Sequence, residues 1–147
     1  MKNYTQEQLQ EKIKQLDEYL SKQRLEWTDS IKALTDELKK GNNLEQVGSY
    51  TLSYRQILVE NLTTMHNRVK ARKSIIDRKY KQKWLEYYNY ERKLTDKQRE
   101  RFIDADLSYD KEMLCILESQ KAFMEGSIKT LDNMGFAIKN RLDMSKI

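Results

Sequence analysis

The chain has 147 residues, of which 35% are charged, 38% hydrophobic and 10% aromatic, with no proline, four glycines and a net charge of +5. So many aromatics exclude a disordered chain, and the absence of any run of 18 apolar residues excludes a membrane-spanning helix. The single cysteine, Cys115, excludes an internal disulfide and points to a reducing compartment.

Lacking proline and nearly lacking glycine, the chain has little to interrupt helices, so an all-α protein of long helices is expected. The N-terminal stretch MKNYTQEQLQEK lacks the apolar core of a signal peptide, and a cytoplasmic location is expected. Leu9, Ile13, Leu16, Leu20, Trp27, Ile31, Leu34 and Leu38 then recur at about 3.6 residues, broken only at Arg24, which is the stripe of an amphipathic helix. That helix stops at KKGNN, where Lys39 and Lys40 suit a C-terminus and Gly41 suits the turn. NLEQVGSY reads as a linker, with a break at Gly48 and an N-cap at Ser49. Residues 1–48 are therefore expected to form an N-terminal amphipathic helix and linker, and 49–147 the remainder.

A second helix is expected over about 50–92, on the stripe Tyr54, Leu58, Leu62, Met65, Val69, Ile76, Tyr80, Trp84 and Tyr87. At about 1.5 Å per residue it is roughly 65 Å long, so it must pack along another long helix or another subunit. The chain turns near KLTDKQ, where Thr95 and Gln98 form a capping box. A third helix, over about 96–144, carries Phe102, Ala105, Tyr109, Met113, Ile116, Leu117, Met124, Ile128, Leu131, Ile138 and Leu142. Asp104 and Asp106 are read as acids near its start, where the macrodipole favours them. Ile103, Leu107, Leu114 and Phe136 widen its apolar arc. That width suits a self-association surface, or else burial within a three-helix bundle. The expected fold is two long helices in an elongated αα-hairpin plus an extra N-terminal helix, assembled into a homo-oligomer.

The charge is uneven. From Arg68 to Arg101 there are 13 Lys/Arg against 5 Asp/Glu, leaving 15 against 18 elsewhere. Such a basic middle points to nucleic acid or an anionic membrane surface. The apolar stripe of this helix is committed to protein packing, which argues against a membrane partner. Arg68, Arg72, Lys79 and Lys83 line one edge of that stripe, and Lys70, Lys81, Arg92 and Tyr88 the other, with Trp84 just inside it. Lys73 falls within the apolar arc and must snorkel. Single strands are held by phosphate contacts and by stacking on aromatics, for which Tyr88 and Tyr90 are placed best. The candidate nucleic-acid-binding residues are Lys70, Arg72, Lys73, Arg78, Lys79, Lys81, Lys83, Trp84, Tyr88 and Arg92. A solvated charged face is the plain alternative, but only Asp77 supplies an acid between Arg68 and Trp84. Catalysis has no support: there is no glycine-rich phosphate loop, no metal-ligand cluster and one histidine, His66, so no enzyme, cofactor or metal is expected.

YKQKWLEYY, a turn, and then FIDADLSYDKEMLCILESQKAFMEGSIKTLDNMGFAIKNRLDM resemble the UvsY-type recombination mediators of T-even and related phages. The shared features are a basic helix ending in paired tyrosines, a short acidic motif after the turn, and the near-terminal GFAIKN followed by Asp143 and Met144. The resemblance spans about residues 57–144; Asn89 stands where the family has glycine, and Gln82 and Trp84 stand where it has a basic pair. It implies a non-enzymatic accessory, in the host cytoplasm if phage-encoded. Such a protein forms a ring-like homo-oligomer, binds single-stranded DNA, weakens the hold of the single-strand binding protein and helps load a RecA-like recombinase. The C-terminal helix serves assembly in that family, which places Leu131, Phe136, Ile138 and Leu142 at the subunit contact. A helical scaffold or inhibitor whose basic strip binds an acidic protein partner is the competing expectation.

Overall fold

A computed structural model describes residues 3–90 and 92–146. Among them the chain is all helical, with α1 over Gln6–Lys40, α2 over Leu44–Tyr88, α3 over Asp96–Asp106 and α4 over Ser108–Ser145. No helix among these residues is long and apolar enough to cross a membrane.

The helix ends follow from local chemistry. α1 opens on a reciprocal cap: the Thr5 hydroxyl accepts from the Gln8 amide at 3.2 Å, and the Gln8 side chain accepts from the Thr5 amide at 2.9 Å. It stops at Gly41, whose φ of +73° a side-chain-bearing residue rarely adopts, and Asn43 also takes a positive φ of 54°. The expected break at Gly48 does not occur; α2 has already begun at Leu44 and runs through it. Val47 and Thr51, on either side of Gly48, are both buried, and that packing outweighs the roughly 1 kcal/mol by which glycine weakens a helix interior. The Thr95–Gln98 capping box is present.

The expected third helix is two. α3 ends at Asp106 and α4 begins at Ser108, with Leu107 between them at φ −96° and ψ 8°. Leu107 and Ile103 are both buried, so the break keeps the apolar face inward. It also moves Asp104 and Asp106 from a helix start to a helix end, where the macrodipole opposes them. Partners offset this: Lys111 meets Asp104 at 2.6 Å, and the Tyr87 hydroxyl donates to Asp106 at 2.6 Å.

The chain divides into two compact units. One joins residues up to Glu18 with Asn67–Glu118, around buried Ile13, Val69, Ile103, Leu107, Met113 and Leu117. The other joins Tyr19–His66 with the segment from Ser119 onward, around Leu20, Leu34, Leu58, Met65, Met124, Leu131 and Ile138.

Arg24, the interruption in the first stripe, sits in a polar layer of the second unit. Its guanidinium donates to Gln120 Oε1 at 2.7 Å and to Ser21 Oγ at 2.8 Å, and Gln120 is fully buried. Gln120→Ala removes an acceptor from a partly buried charge and is expected to cost about 1–3 kcal/mol. Replacing Arg24 and Gln120 together by leucine is expected to recover that loss, because an apolar layer leaves no polar group unpaired. Urea denaturation of the two variants measures the difference.

Candidate nucleic-acid interface

All ten candidate nucleic-acid residues lie in the first unit, nine on α2 and Arg92 beyond it, because α2 ends at Tyr88 and not near residue 92 as expected, which takes Arg92 off the Lys70–Lys81 edge. The structure sorts them into two groups. Arg72 and Lys79 converge on one carboxylate, Asp110 of α4: Arg72 Nη1 donates to Oδ1 at 2.9 Å and Lys79 Nζ to Oδ2 at 2.7 Å. The Asp110 side chain is only 4% exposed, so two partly exposed cations share one enclosed carboxylate. Lys73 does snorkel, reaching Glu118 at 3.4 Å, and Lys83 meets Glu86 at 3.1 Å and Asp106 at 4.0 Å. Lys70, Arg78, Lys81 and Arg92 are exposed and form no ion pair among the described residues.

The acids that match the first group come mostly from α3 and α4, so the shortage of acids within α2 overstates the uncompensated charge. The α2 cations that form no ion pair among the described residues have a clear arrangement. At about 100° per residue, Lys70, Lys81 and Tyr88 fall on one line along α2, and Arg72, Lys79 and Lys83 on another, with Arg78 between them on the outward face. Both cations of the Lys70–Lys81–Tyr88 edge are therefore unengaged among the described residues, whereas on the other edge only Arg68 is.

Aromatic groups continue that edge. Tyr80 and Trp84 stack with ring centroids 6.3 Å apart. The Arg99 guanidinium from α3 lies 4.6 Å from the Trp84 ring and 5.4 Å from the Tyr88 ring, pinning both by cation–π attraction. Tyr88 is nevertheless 68% exposed, so much of its ring remains available. Beside it, Tyr80, Lys81, Trp84, Leu85 and Glu100 line an apolar groove of about 480 Å³. Leu85, Tyr90 and Phe102 are also exposed. Arg99 and Leu85 escaped the sequence reading. Leu85 carried a usable signal, an apolar side chain on the charged outer face, whereas Arg99 was one more base in a basic stretch.

Tyr87 is not part of this surface chemistry. Its hydrogen bond to Asp106, reinforced by burial and by the negative charge of Asp106, pushes its pKa up to about 12, so the hydroxyl stays protonated and serves as a strut between α2 and α3.

Of the four candidate assembly residues, Leu131 and Ile138 are buried inside the second unit, at 1% and 4% exposure. Phe136 is 67% exposed, and Leu142 is half-buried. Phe136 and Leu142 line a broad groove of about 920 Å³ with Gly48 and Leu52 of α2 and Gly135 of α4. Glu45, Asp132 and Asp143 also line it, as do Arg55, Lys139 and Lys146, and Arg55 pairs with Asp132.

No protein-family model, no curated protein and no solved structure matches the chain.

Proposed function

We propose that this chain is a non-enzymatic recombination mediator, as its UvsY-type resemblance implies. It binds single-stranded DNA and helps load a RecA-like recombinase onto strands coated by single-strand binding protein. The observation that carries this reading is the unengaged edge of α2, where exposed Lys70 and Lys81 run into the exposed ring of Tyr88, with Arg78 and Arg92 nearby. Phosphates require free cations and bases require free ring faces, and this edge offers both on one line.

A single edge of this kind binds weakly, and repetition in a ring raises its effective concentration. The groove of the second unit suits that assembly. Its apolar floor is exposed, and its rim carries equal numbers of acids and bases, so a second copy can meet it without net repulsion. Phe136→Asp places a charge on this floor without disturbing the core, since Phe136 is exposed. The variant is expected to fall to a monomer in light scattering at micromolar concentration and to lose stimulation of strand exchange on coated single strands. A wild-type monomer under those conditions, or wild-type protein that fails to stimulate the recombinase, would refute the mediator reading.

One observation favours a second reading. The apolar groove bounded by Lys81, Trp84 and Leu85 also fits an acidic peptide carrying an apolar anchor. A scaffold or inhibitor of that kind would bind such a peptide and ignore a labelled single strand.

A further inference from the structure

The opposite edge of α2 has a chemistry of its own. Arg72, Arg78 and Lys79 line a cleft of about 690 Å³ together with Tyr4 and Lys12 of the N-terminal segment and Tyr109 of α4. Two carboxylates, Asp106 and Asp110, also reach it. Both are already engaged. Asp110 uses one oxygen on Arg72 and the other on Lys79, while Asp106 accepts from the Tyr87 hydroxyl and lies near Lys83. The cleft thus holds four cations against two occupied anions. Lys12 and Arg78 form no ion pair among the described residues, and Lys12 Nζ rests 3.5 Å above the Tyr4 ring. An aromatic face offers an ammonium far less than an oxyanion would.

We propose that this cleft is a phosphate-binding site that takes one backbone phosphate of a single-stranded nucleic acid, held between Lys12 of α1 and Arg78 of α2. The inference rests on the reading of the first unit as a single-strand binder and extends it to a helix that carries none of the basic strip. Unpaired donors from two helices, Lys12 and Arg78, suit the oxygens of a phosphate, and Tyr4 and Tyr109 also line the cleft, where they can meet the attached nucleotide. Arg78, on the outward face of α2, stands between this cleft and the Lys70–Lys81 edge. A strand can therefore cross α2 instead of following one edge only, and the start of α1 becomes part of the site.

The test is a salt series of anisotropy titrations with a fluorescein-labelled oligothymidylate, run on the full chain and on Lys12→Gln, Lys12→Arg and Lys81→Gln. Lys12→Gln is expected to weaken binding about fivefold at ~0.1 M salt and to shallow the slope of log affinity against log salt by about 0.7, the loss of one phosphate contact. Lys12→Arg is expected to retain both affinity and slope. If Lys12→Gln matches the unmodified protein while Lys81→Gln weakens binding, the cleft takes no phosphate and the proposed function stands without it. If Lys12→Gln lowers affinity with the slope unchanged, or Lys12→Arg fails to restore it, Lys12 acts through the fold and the inference is overturned. If neither glutamine variant changes binding, the single-strand interface itself is refuted along with the cleft.

Discussion

Replacing Lys70, Arg78 and Lys81 together by glutamine is expected to weaken binding to a single strand about a hundredfold at ~0.1 M salt. Each neutralised phosphate contributes about 0.7 to the salt slope of a single strand, so three lost contacts amount to about two powers of ten at that concentration. The fold should be indifferent, because all three side chains are exposed and none is ion-paired among the described residues. Lys73 and Lys83 provide the control. They stand on the same helix and carry the same charge, but each already meets a carboxylate, Glu118 for Lys73 and Glu86 for Lys83. Their joint replacement is expected to change affinity far less than the triple replacement. Equal losses from the two sets would mean that total charge, and not the unengaged edge, governs binding.

Asp110→Asn is expected to move stability and binding in opposite directions. Asparagine keeps the shape and one acceptor but removes the charge that Arg72 and Lys79 share. Because Asp110 is enclosed, the unfolding free energy should fall by about 1.5–3 kcal/mol, the range for hydrogen bonds to charged groups. The two cations are then free to meet phosphate. Affinity for a single strand should rise, and the salt slope should steepen by about 0.7 for each cation that finds a phosphate. A variant that loses stability but binds no better would make Asp110 a purely structural residue and leave Arg72 and Lys79 outside the interface. Chemical denaturation and the same anisotropy assay report both quantities on one preparation.

What the sequence revealed depended on how far apart the interacting residues lie along the chain. Signals within one turn were legible: Gly41 ended α1 as expected, and the Thr95–Gln98 cap formed as expected. Long apolar stripes also identified buried positions such as Ile13, Leu20, Leu58, Val69 and Leu131. Gly48 misled because a glycine is a local break signal that says nothing of the packing on either side of it. The break at Leu107 left no mark, because Leu107 is neither glycine nor proline and stays in phase with the buried face. Asp104 and Asp106 were misplaced for the same reason. The candidate interface was half legible. Helical spacing placed Lys70, Lys81 and Tyr88 on one edge, but it could not show that Asp110 and Glu118, on another helix, would occupy Arg72, Lys79 and Lys73. Pairing between helices has no signature in the spacing of either one.

The central claim is that the unengaged edge of α2 holds the backbone of a single strand. It is tested most directly by titrating a labelled oligothymidylate with the unmodified protein across a range of salt concentrations. Four cations with no ion pair among the described residues, Lys70 and Lys81 on the edge, Arg78 on the outward face and Arg92 beyond the helix end, predict that log affinity falls with log salt at a slope near −3 per protomer site. Absence of binding at low salt, or binding that does not respond to salt, would contradict the claim.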